Sequence, residues 1–190
     1  MSLDSLLIRR PVRPRIFVSY HHANDRQAYE DFVQLVSGTY DVCTDHSVRG
    51  RIHSDNSAYV IRRIREEYIS GSSVTVVLCG RDTPWRKFVD WEIKATLDAE
   101  HGLVGLCLPS CALDAQNLRP VPDRLFDNIQ SGYAEWIHWP TLLAGAQIIA
   151  DAVHNARARN RRLIVNNREL MSRNGTSPYA LPVLPRRSGF

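Results

Sequence analysis

Lysine is almost missing from this chain: of its 24 basic residues only Lys87 and Lys94 are lysines. Schiff-base chemistry therefore has two candidate amines, while guanidinium groups for phosphate contact are plentiful. No apolar stretch approaches the roughly 18 uninterrupted residues of a spanning helix. The opening MSLDSLLIRRPVRPR holds only a short apolar island between an acid and arginines, so neither a membrane span nor a signal peptide is expected. The four cysteines, at positions 43, 79, 107 and 111, form no CxxC pair. Cys79 and Cys107 fall inside apolar runs where a reduced thiol packs as a small hydrophobe, which predicts a reducing, cytoplasmic compartment. GxGxxG and GxxxxGKS/T are both absent, which removes the usual dinucleotide and P-loop signals. There is no GxSxG elbow and no HExxH, and the adjacent His21 and His22 would point to opposite faces of a strand, so no metal site is expected.

What is present suits one globular domain: 190 residues, 44% hydrophobic and 23% charged. The net charge of +4 is unevenly placed, because residues 151–190 hold eight arginines against two acids and leave residues 1–150 slightly acidic. A basic face is thus confined to the C-terminal segment, where it reads as a solvated helix running into a tail; nucleic acid is not an expected partner.

Arg15 to Tyr20 (RIFVSY) is short, β-branched and aromatic like a buried strand, and Tyr29, Phe32, Val33 and Val36 follow at helical spacing. The pattern repeats with YDVCTD (40–45) and a helix carrying Val60, Ile61, Ile64, Tyr68 and Ile69 on one face. SSVTVVLCG (72–80) is an unbroken apolar run suited to a central parallel strand. A helix from about Trp85 to Ala99, a strand LVGLCLP (103–109), a strand YAEWIHWP (133–140) and a long closing helix over 141–165 complete the series. Alternation at this interval predicts a doubly wound α/β domain with a mainly parallel sheet of about five strands between helices. The expected divisions are an N-terminal extension (1–13), the domain with its closing helix (14–171) and an extended tail (172–190). Ligands in such sheets bind outside the carboxyl ends of the strands, so the segments after Tyr20, Asp45, Gly80 and Pro109 are the ones to search.

Four blocks occur there in order: SYHHAND (19–25), CTDHSV (43–48), SSVTVVLCG (72–80) and WRKFVDWEI (85–93). Together they resemble the TIR-like domains of the Thoeris type, found in bacterial anti-phage defence, over about residues 14–140. The resemblance implies a flavodoxin-like, three-layer fold. It also implies an enzyme that takes NAD as substrate, not as a cofactor, and cleaves its nicotinamide–ribose bond. The family's catalytic glutamate, in a W-x-x-x-E pattern, maps onto Glu92; Phe88 stands where the family carries Trp, so the aromatic is kept and the indole N–H is lost. The resemblance further implies a cyclic ADP-ribose isomer or related ADP-ribose messenger acting on a separate effector protein, a phage-derived trigger, and a homo-oligomer or TIR–TIR assembly, with no membrane. The alternative is a non-catalytic TIR-type or receiver-like interaction module.

With Glu92 as the catalytic candidate, the substrate-binding candidates are Tyr20, His21, Asn24, Asp45, Ser47 and Phe88. The loop after Tyr20, which also holds His22 and Asp25, opens a helix whose free N–H groups suit a pyrophosphate. The loop with Asp45 and Ser47 borders the cleft in TIR domains. Each candidate also has a bland role: Glu92 as a first-turn acid, Asn24 and Asp45 as cap and turn residues.

Overall fold

The computed structural model describes residues 13–44, 56–111, 119–139, 145–175 and 183–184. The described strands are β1 (Arg15–Ser19), β2 (Asp41–Thr44), β3 (Val74–Cys79), β4 (Gly102–Cys107), β5 (Arg119–Pro120), β6 (Glu135–His138) and β7 (Val183–Leu184). The helices are α1 (Arg26–Val36), α2 (Ser57–Ile64), α3 (Lys87–Asp98), α4 (Asp123–Gln130) and α5 (Ala146–Ala158). Five strands form one sheet in the order β2-β1-β3-β4-β6, every neighbouring pair parallel. The expected α/β architecture, a five-strand parallel sheet between helical layers, is therefore the observed one.

The strands sort their side chains by alternation. Ile16 and Val18 of β1 and Val74, Val76 and Leu78 of β3 pack with Phe32 of α1 and Ile149 and Val153 of α5. On the other face, Phe17 meets Val60 and Ile64 of α2, and Val77 and Cys79 meet Val89, Ile93 and Leu97 of α3. Both β3 and β4 are buried along their whole length, as their unbroken apolar runs require of central strands. Each fully buried Ile or Leu of this set contributes about 1.5–3 kcal/mol of transfer free energy.

Three elements differ from the sequence expectation. The apolar stripe of α2 reaches Ile69 through a π-helical turn, Arg65–Ile69, closed by a bond from Ser70 N to Arg65 O of 2.8 Å, and this wider turn brings Ile69 into the core. The closing helix ends at Ala158 rather than near 165. Beyond it Asn160 turns its side-chain oxygen to Arg162 N, a local bond that starts a 3₁₀ turn at Arg161–Leu163 and competes with further helix. α4 has no counterpart in the expectation because two of its three buried residues, Arg124 and Asn128, are polar and blur the apolar period.

Residues 164–175 do not leave the domain. They run as a strap without regular structure against α4 and α3, and Asn174 and Gly175, within the stretch expected to be tail, bond to Lys87 N and Trp85 O. Val183 and Leu184 pair antiparallel with Pro120 and Arg119. Among the described residues no helix is long and apolar enough to cross a membrane, and the four cysteines are free thiols.

Gly102, at the start of β4, lets that strand pass close against the backbone of α5. A Cβ there would lie 2.8 Å from the backbone carbonyl of Ala156 in α5, which cannot swing away as a side chain can. Gly102→Ala is expected to cost about 1–3 kcal/mol and lower the thermal midpoint by about 3–10 °C, read by calorimetry. An unchanged midpoint would show that α5 is free to slide on the sheet.

Candidate functional site

In an open parallel sheet the binding crevice lies where adjacent strands send their connections to opposite faces. Here β1 leads into α1 on one face and β3 into α3 on the other, so that point is beyond Ser19 and Cys79. Loops 20–25, 80–82 and 108–111 leave the sheet at this edge.

Glu92 sits in the second turn of α3, on the side facing the sheet, and is 1% exposed. The hydroxyl of Ser19, the last residue of β1, donates to Glu92 Oε2. Thr96 Oγ1, one turn on, donates to the Glu92 carbonyl at 2.8 Å and lies 2.6 Å from Thr75 Oγ1 on β3. A polar seam thus crosses an otherwise apolar interface between α3 and strands β1 and β3. Phe88, at i−4, is partly buried in the α2–α3 cluster with its ring edge-on to Trp91 at 5.4 Å.

Tyr20 points to the opposite face of the sheet, within the α1–α5 core. Its ring stacks on Tyr29 at 4.5 Å, and its hydroxyl lies 3.1 Å from His22 Nδ1. His21 is buried at the strand end, its carbonyl accepting from Asn24 N and Asp25 N to close the turn into α1. The exposed Asn24 donates its amide to the Asp82 carboxylate, tying the loop after β1 to the loop after β3. Glu92, His21 and Asn24 therefore share the carboxyl edge, whereas the Tyr20 ring does not. Asp45 and Ser47 lie outside the described residues.

Asp25, which the sequence offers only as one residue of a loop, is the hub of this edge. It stands at the N-cap position of α1, yet its side chain makes no cap bond. It turns inward instead, accepting from Ser110 Oγ at 3.0 Å and from Thr83 Oγ1 at 3.4 Å, and so joins the ends of β1, β3 and β4. Gly80 is required beside it, because a Cβ at that position would overlap the Asp25 carboxylate. Next to Ser110, the neighbouring Cys107 and then the Arg119 cation lower the pKa of the Cys111 thiol below its ordinary value, against the opposing effect of burial.

These elements define an open parallel α/β domain with polar groups, the buried Glu92 among them, gathered where strand order reverses. The sequence model described as "Thoeris protein ThsB, TIR-like domain" matches residues 17–112, and the chain belongs to that family. Among solved structures, the chain is similar to the TIR domains in "Structure of the activated Roq1 resistosome directly recognizing the pathogen effector XopQ", at 13% identity and a TM-score of 0.37, over 79% of this chain and 82% of that one. No curated protein matches it.

Burial raises the Asp25 carboxyl above its ordinary value near 3.8; the hydrogen bonds from Ser110 and Thr83 oppose this and the nearby Asp82 reinforces it. The folded chain therefore holds this proton more tightly than the unfolded chain. Stability from this group is present at low pH and is lost as pH rises through the folded-state value. Asp25→Asn, which keeps the shape and does not titrate, is expected to gain stability relative to the parent as pH rises from about 4 to about 7, measured by denaturant melts. Parallel pH curves for the two proteins would mean the carboxyl is not perturbed.

Proposed function

We propose that this chain is a NAD-consuming signalling enzyme of antiviral defence, with Glu92 as its catalytic carboxylate. The observation that carries the reading is the position of that carboxyl, at the carboxyl edge where strand order reverses, on a helix that lies within the matched residues 17–112. One carboxylate suffices for this reaction. The C1′–N1 bond breaks with its electron pair going to the pyridinium nitrogen, so nicotinamide leaves neutral and needs no general acid, unlike an ordinary glycoside. Positive charge then develops on the ribose, and an anion on its hydroxyls stabilises the transition state more than the ground state. For this the Ser19 hydroxyl must yield Glu92 to the ribose when substrate enters.

The N–H groups opening α1, with His21 and Asn24 beside them, suit the pyrophosphate. Water at the cation gives ADP-ribose. A nucleophile within the bound nucleotide gives a cyclic ADP-ribose isomer, with loss of a proton in either case. Such a product would reach a separate effector by diffusion, after a phage-derived trigger and a TIR–TIR assembly in the cytoplasm. A non-catalytic interaction module is the second reading, and the deep burial of Glu92 against Ser19 favours it.

Mass spectrometry of nucleotides from phage-challenged cells separates the two. The enzyme reading expects NAD loss with an ADP-ribose product in the parent. In Glu92→Gln, whose amide oxygen still accepts from Ser19, it expects an unchanged fold and turnover reduced by about a hundredfold or more. Equal product from both proteins, or none from the parent, would reject it.

A further inference from the structure

The described elements beyond the family match grip α3 along one stripe. Asn174 Oδ1 accepts from Lys87 N at 2.9 Å, Asp90 Oδ2 accepts from Met171 N at 2.9 Å, and Trp91 Nε1 donates to Met171 O at 3.0 Å. Further along, Asn166 Nδ2 donates to Asp98 Oδ1 at 2.8 Å. Positions 87, 90, 91 and 98 repeat at helical spacing and so lie on one side of α3. Glu92, two residues from Asp90, is about 200° around the helix from it, toward the sheet.

The strap is itself anchored by Arg124, a guanidinium with 0% exposure. Its Nε donates to Asp90 Oδ1 at 2.9 Å, and its terminal nitrogens donate to Asn166 Oδ1, Arg168 O and Glu169 O at 2.9, 3.1 and 3.2 Å. A buried charge is tolerated only when its partners are fixed, so this centre admits one arrangement of α3, α4 and the strap. Rotating or lifting α3 to move Glu92 off Ser19 would break several of these bonds together.

We propose that Trp91 and Asp90 are positioning residues: through the strap and Arg124 they hold the outer stripe of α3 so that the Glu92 carboxyl on its inner side meets the end of β1. The catalytic consequence rests on the reading of Glu92 given above; the mechanical one does not. Because Asp90→Asn leaves Arg124 buried against a neutral partner and risks misfolding, the test uses Trp91→Phe, which keeps an aromatic in the α2–α3 cluster and removes the bond to Met171 O together with part of the ring surface that meets Lys87 Nζ. Tyr59→Phe, at an exposed position on α2, is the control.

Two measurements are made on the full-length proteins at a temperature well below the cooperative melts of both variants. Amide exchange in the first two turns of α3 is expected to quicken about tenfold in Trp91→Phe and not in the control. The carboxyl carbon resonance of Glu92 is expected to shift in the same variant only. An unmoved resonance, or unchanged exchange, overturns the proposal whether or not the parent cleaves NAD. With an active parent, kcat is expected to fall about ten- to a hundredfold with KM little changed, as misplacement of a transition-state group requires. A normal kcat would overturn the positioning role, and a parent inactive on NAD would reject the enzymatic reading alone.

Discussion

One contact between a hydroxyl and a carboxyl dictates how the sheet and α3 meet. Ser19 and Glu92 are both almost fully buried, in an interface otherwise filled by Phe17, Val89, Ile93 and their neighbours. In such surroundings an oxygen without a partner costs more than an apolar contact returns, so the register of α3 on β1 is specified by polarity as well as shape. The Thr75–Thr96 pair one turn further repeats the device on β3. Purely apolar packing would leave α3 several near-equivalent rotations; two polar pins leave one.

The rest of the carboxyl edge follows the same logic at the loops. Asp25 draws the ends of β1, β3 and β4 together through Ser110 and Thr83, and Asn24 adds a tie to Asp82. Loops at a strand edge are ordinarily the mobile part of an α/β domain. Here three of them share one acid, so a displacement of any one is felt by the others. Glycine at position 80 makes this possible by letting the carboxylate approach the backbone after β3.

The sheet was largely legible in the sequence because its central strands are buried on both faces and therefore read as apolar runs, Val74–Cys79 most plainly. Glu92 stood out as a candidate through the resemblance of its motif and the order of four blocks, while its seat against Ser19 depends on a residue 73 positions away. What escaped was set by partners distant in sequence. Arg124 looks like a surface arginine until Asp90 and the backbone at Arg168 and Glu169 are brought round it. Asp25 is one polar residue of a loop until Ser110 arrives from 85 positions away. Short-range periodicity also could not distinguish α4, whose buried stripe is partly polar, or anticipate the π-helical turn at Arg65–Ile69, which has the composition of ordinary helix.

The strap has a consequence for the order in which the molecule becomes complete. Three of its bonds to α3 span 80, 81 and 87 residues, and each of these involves a group between Met171 and Asn174. A chain emerging from the ribosome presents the whole sheet-forming region through β6 well before these residues are available. During that interval α3 is packed on the sheet and tied to α4 through Arg124 and Asp90, but lacks its bonds to Met171 and Asn174. Residues 171–174 therefore complete the fastening of the helix bearing Glu92, and a chain interrupted before Met171 would carry its motifs intact on a helix that lacks these three bonds.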